Sequence, residues 1–208
     1  MIDRYADNLV VLWIHLPVYG DTYWSAWGNA RANTFYDFQY IPMWAVDSLD
    51  WIEGTVGVWE GMVNARQAIP TDVTIESESR PGSGSSIDVT ASVCIEAGGV
   101  GRTMRIYMVQ LLDNYPPVAP YYRNCTRGSG LTQDITLAPG ECLEVQGSLA
   151  LDAPSSANPL DVMVAVWAQE PNPAFPAEVF QADVSQTFLI SRDGFESGDT
   201  LAWSATVP

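Results

Sequence analysis

The chain contains no lysine. Its 9 basic residues are all arginine and face 25 acids, which leaves a formal net charge of −16. Without lysine there is no amine for Schiff-base chemistry and no phosphate-loop lysine. Neutralising a nucleic-acid backbone takes clustered Lys and Arg, so no nucleic-acid partner is expected. Anionic membrane surfaces are disfavoured for the same reason. His15 is the single histidine. No apolar run reaches about 18 residues, so no transmembrane segment is expected. Residues 1–7, MIDRYAD, are polar where a signal peptide needs a basic and then an apolar segment. Cysteine is sparse: Cys94, Cys125 and Cys142 lack metal-ligand spacing, and an odd number leaves at least one thiol unpaired within the chain.

What is present favours β-structure. Apolar residues make up 47% of 208 positions, enough to bury a sizeable core, and 16 glycines and 14 prolines punctuate the chain. Residues 9–16, LVVLWIHL, form a continuous apolar run, the pattern of a strand buried on both faces as in a parallel sheet. Trp24, Trp27, Arg31 and Phe35 then recur at three- and four-residue steps, which reads as an amphipathic helix capped by Asp21 or Thr22 and weakened at Gly28. The stretch YIPMWAVD, 40–47, reads as the next strand, and a second helix is expected before residue 69.

From residue 70 the texture changes. Seven short alternating runs follow, split by turn-forming Gly, Pro and Ser clusters: 71–79, 85–96, 102–113, 120–127, 134–151, 160–170 and 178–188. Such spacing predicts an antiparallel sandwich. In the second run Val89, Ala91, Val93 and Ile95 share one face, with Thr90, Ser92 and Cys94 on the other. In the fifth, Leu143, Val145, Leu149 and Leu151 oppose Cys142, Glu144 and Gln146. If these two strands are antiparallel neighbours, Cys94 meets Cys142 on the outer face and a disulfide between them is expected, with Cys125–Cys142 as the rival pairing.

The segments IHLPVYGDTYWSAWGNARANTFYDFQYIPMWAVDS, YYRNCTRGSGLTQDITLAPGE and VAVWAQEPNPAFPAEVFQADV, in that order, resemble a family of secreted and outer-membrane bacterial proteins. In that family a thioredoxin-like half precedes a β-sandwich half. The resemblance covers nearly all of residues 1–190. The family's Cys-x-x-Cys region has no counterpart here, so the resemblance implies the scaffold without thiol–disulfide exchange, which needs a thiolate in that loop. The end, GFESGDT followed by WS, resembles a short C-terminal element of secreted proteins from some environmental bacteria and implies export.

Few residues offer chemistry. His15 with Asp21 and Ser25 would supply triad types; the reading adopted is a hydrogen-bonded strand-end histidine. Glu76 and Glu78 alternate on one strand and read as a solvated face. Asp193, Glu196 and Asp199 sit among glycines and are the candidate ligands for calcium, although their spacing is not that of an EF-hand. Tyr115, Tyr121 and Tyr122 flank a Pro-rich turn and form a candidate contact loop. Phe195, Leu201, Trp203 and Val207 are dispersed apolar anchors suited to grooves on a sheet face.

The expected fold is therefore α+β: a truncated thioredoxin-like α/β half at 1–69, an antiparallel immunoglobulin-like β-sandwich at 70–190 and a tail at 191–208. The expected role is a non-catalytic, extracellular or cell-surface bacterial protein, structural or interactive, without cofactor and self-assembling into an oligomer or filament through sheet edges and termini. A fragment of a thioredoxin-type redox protein and a carbohydrate-binding module are the alternatives.

Overall fold

The computed structural model describes residues 9–17, 23–38, 43–52, 56–116 and 122–186. Seven strands form a two-sheet sandwich: β3 (Val73–Pro81), β4 (Ser86–Ile95), β5 (Arg102–Leu112), β6 (Cys125–Leu137), β7 (Cys142–Ala150), β8 (Val162–Gln169) and β9 (Val179–Gln186). One sheet has the order β3-β4-β7 and the other β6-β5-β8-β9, with every pairing antiparallel. A strand is found for each of the seven expected runs, with the bounds of the fourth and fifth moved. Residues 134–137 complete β6 rather than open the fifth strand, because the chain turns at 138–141, where Glu141 N–H donates to Ala138 O.

Alternation builds the core. Ile87, Val89, Ala91, Val93 and Ile95 of β4 point inward and meet Met104, Ile106 and Met108 of β5 and Val164 and Val166 of β8. On β7, Val145 and Leu149 follow the same parity and are buried, whereas Leu143, near the strand's start, is exposed. The opposite parity places Cys94 against Cys142 in register, and the two are joined by a disulfide with Cα atoms 4.1 Å apart. Cys125 is buried and lies outside that disulfide.

Every residue of β8 is buried. Its even positions fill the sandwich; its odd ones, Met163, Ala165 and Trp167, join Tyr107, Val109 and Leu111 of β5 in a second cluster on the outer face of that sheet. Val10, Leu12 and Trp27 cover this face. Packing thus crosses the sequence boundary at Ile69-Pro70. Residues 9–16 do not form a strand inside a parallel sheet. They touch β6 by a single parallel bridge, Trp13 to Cys125, and serve as an apolar cover.

The remaining first-half elements also differ from a parallel β–α–β core. Strand β1 (Trp44–Val46) pairs antiparallel with β2 (Asp50–Ile52), so among the described residues Val11 and Val46 share no sheet. Asp47 and Ser48 turn the chain with φ of 48° and 53°. Residues 40–42, where the expected strand 40–47 begins, lie outside the described residues. Helix α2 (Val56–Gln67) follows and buries Trp59 and Val63 against Val46.

Candidate functional site

Helix α1 (Ala26–Ala30) starts at Ser25, not at Asp21 or Thr22. Ser25 has extended backbone and its Oγ accepts from Gly28 N–H at 3.1 Å, the usual N-cap arrangement. The helix passes directly into a π-type turn, Arg31–Phe35, a local widening often found at functional positions. Arg31 stands at this junction. It is 7% exposed, and its guanidinium carbon lies 3.6 Å from the Phe35 ring centroid. Tyr107, Tyr36 and Trp167 complete the surround at 5.0, 5.2 and 5.9 Å. Such a cage stabilises a cation through the ring faces. One N–H donates to Gln169 Oε1 at 2.6 Å. Gln169 is itself fixed, donating from Nε2 to Ala177 O at 2.8 Å.

Arg31 lines an open groove between the outer apolar clusters, with walls that include Trp27, Trp44, Trp59 and Val63. Arg66 and Arg102 line it too, and each is ion-paired: Arg66 with Asp47 at 2.8 Å and Glu178 at 3.1 Å, Arg102 with Asp72 at 2.6 Å. Burial pulls the Arg66 pKa down, but the two carboxylates outweigh it and hold the group above its ordinary value.

A ring cluster lies beside the groove. His15 is buried, 4.6 Å from Tyr122 and 5.9 Å from Tyr23 between ring centroids, with Nε2 3.5 Å from Cys125 Sγ. Tyr23 meets Tyr115 at 5.3 Å. A reactive cysteine needs partial exposure as well as a cationic neighbour. Cys125 has 0% exposure, so this pair suits packing. Of the triad types, Ser25 is committed to its cap, and Asp21 lies outside the described residues.

The expected contact loop changes character. Tyr115 and Tyr122 are half-buried, exchange two main-chain hydrogen bonds of 3.0 and 2.8 Å, and pack edge-on with Tyr23 and His15. Rings supplied by the first half cover them, which their own stretch of sequence does not show. Tyr121, the calcium candidates Asp193, Glu196 and Asp199, and the anchors Phe195, Leu201, Trp203 and Val207 lie outside the described residues. Glu76 and Glu78 are exposed on β3. Among the described residues no cluster of His, Cys, Asp and Glu could hold a metal, and no helix is long and apolar enough to cross a membrane. Arg31 was visible in the sequence only as a helix-stripe position. Its signal was a charged residue in step with Trp24, Trp27 and Phe35.

No family model and no curated protein matches the chain. Among solved structures, HBP35 of Porphyromonas gingivalis superposes with a TM-score of 0.58 at 10% identity, covering 85% of this chain. The match spans 59% of HBP35. At that identity the likeness is one of fold. A β-glucosidase from Kluyveromyces marxianus matches over 55% of this chain and 14% of its own at 12% identity, with a TM-score of 0.32, too loose to compare architectures.

Proposed function

We propose that the chain is a non-catalytic interaction protein of an oxidising, extracytoplasmic compartment, built on an immunoglobulin-like sandwich. The observation that carries this reading is the Cys94–Cys142 disulfide. It joins neighbouring strands on the outer face of a sheet, where Cys142 is exposed and Cys94 half-buried, so a soluble reductant can reach it. A bond placed there persists where reductants are scarce. The sheet order β3-β4-β7 facing β6-β5-β8-β9 supports the sandwich assignment, and the fold likeness to HBP35 agrees with the bacterial resemblance carried by the sequence. Self-assembly through the termini belongs to the same reading.

Thiol trapping on protein taken from the producing cells tests it. We expect Cys94 and Cys142 linked in one crosslinked peptide pair, with Cys125 alkylated only after unfolding. Three alkylated thiols in the native protein would reject the compartment. Turnover in an insulin-reduction assay above background would reject the non-catalytic role.

A further inference from the structure

Among the described residues no carboxylate pairs with the buried guanidinium of Arg31. Burying an unpaired charge is costly, and proteins normally match such a group with an acid. Among the described residues the groove's other two arginines have acids and Arg31 does not. Its protein contacts are four aromatic rings and the neutral Gln169. A guanidinium carries five N–H donors in a planar fork. Among the described residues the fork makes one hydrogen bond, to Gln169, which leaves most of its donors unanswered on a groove wall. The rings exclude water and lower the local dielectric, which strengthens any ionic contact made there.

We propose that Arg31 is the head-group receptor of a binding site for amphiphilic monocarboxylates. The carboxylate lies in the plane of the guanidinium fork and accepts two parallel N–H bonds, the pairing for which arginine is shaped. The apolar body runs along the groove between the two outer clusters, where Trp27, Trp44 and Trp59 offer surface. Of the groove's five acids, Asp47, Glu178 and Asp72 are held by Arg66 and Arg102, Asp183 accepts from Ser77, and none of the five, Glu96 included, pairs with Arg31. The site goes beyond the interaction role proposed above and is independent of the compartment.

Titration with decanoate below its micelle concentration, read by tryptophan fluorescence and calorimetry, tests the site, with decan-1-ol as the uncharged probe of equal chain length. Saturable decanoate binding about tenfold or more tighter than decanol is expected, the margin of a charge-assisted hydrogen-bond pair. Equal affinity for the two probes, or no binding of decanoate to the wild-type chain, overturns the proposal whatever the variants do. Arg31→Gln is expected to bring decanoate down to the level of decanol. Because Arg31 is packed, Gln169→Glu provides a second route. It sets a carboxylate within the chain where Oε1 now stands, 2.6 Å from the guanidinium, and should abolish the preference while retaining native circular dichroism. A folded Gln169→Glu protein that binds decanoate as the wild type does would also overturn the assignment.

Discussion

At Gly28 a Cβ atom would stand 2.8 Å from Thr126 Oγ1, 3.0 Å from Ser25 Oγ and 3.2 Å from Ile14 Cγ2. In a free helix, alanine here would gain about 1 kcal/mol in propensity. In this fold the glycine lets α1 close onto β6, so Gly28→Ala is expected to destabilise by about 1–3 kcal/mol, the usual cost of overpacking. Denaturant midpoints decide the sign, and a variant more stable than wild type would show that α1 shifts freely. The example marks how far local reading goes. The three-and-four-step pattern of Trp24, Trp27, Arg31 and Phe35 announced a helical segment, and a helical segment is there. The sequence carried no mark of what lies across from Gly28, because that neighbour is about a hundred residues away in the chain. Arg31 was hidden for the same reason: Tyr107, Trp167 and Gln169 come from two distant strands.

At the scale of elements, alternation was the dependable signal. Parity put Cys94 and Cys142 on the outer faces of their strands, since a period of two admits only two faces, and the sandwich topology supplied the assumption that the strands adjoin. The outer face of β5 and β8 was harder to see. The unbroken apolar run of β8 is what a strand covered on both sides requires, but a sandwich expectation assigns one of those sides to water. Short α3 (Ala153–Ala157), between β7 and β8, supplies a test at this scale. Its N-cap Asp152 accepts from Ser155 N–H at 3.0 Å and from Arg127 at 2.6 and 2.8 Å, while Arg127 is 9% exposed and also donates to Tyr23 O. Burial pushes the Asp152 carboxyl up; the bonds to Ser155 and Arg127 outweigh it and hold the pKa below the ordinary value. A depressed folded-state pKa gives stability that is present above the unfolded value of about 3.9 and lost as pH falls through the folded one. Asp152→Asn keeps a cap but leaves Arg127 without its carboxylate, and is expected to cost about 1–3 kcal/mol at neutral pH. The gap between variant and wild type should narrow from about pH 4 downward. Urea melts at neutral and acid pH check this, and a gap that ignores pH would separate the cap from the ion pair.

For the whole molecule, the decisive arrangement is that the first half acts as the second wall of the four-stranded sheet. Composition divides the chain near residue 70, and packing joins it again through Val10, Leu12 and Trp27 on Tyr107, Leu111 and Trp167. A chain starting at residue 70 is therefore expected to expose that face, bind a hydrophobic dye and self-associate, even though its inner core is intact. Sedimentation and dye fluorescence measure this. A monomeric, dye-silent product would mean that the sandwich stands without its cover. The net charge of −16 opposes association by mutual repulsion, so the effect should grow with added salt.

Asp183 lies on β9, across the sandwich corner from β3. Its Oδ2 accepts from both the N–H and the hydroxyl of Ser77, each at 2.7 Å. Among the described residues each of these strands ends its sheet, and a rim with idle amide groups is an invitation to a guest strand. The carboxylate occupies one such amide in the middle of β3, with Glu76, Glu78 and Arg80 bristling on the same strand and Pro81 closing it. A visiting chain would have to evict an anion before it could zip onto this seam. Strand addition at the β3–β9 corner is thereby opposed.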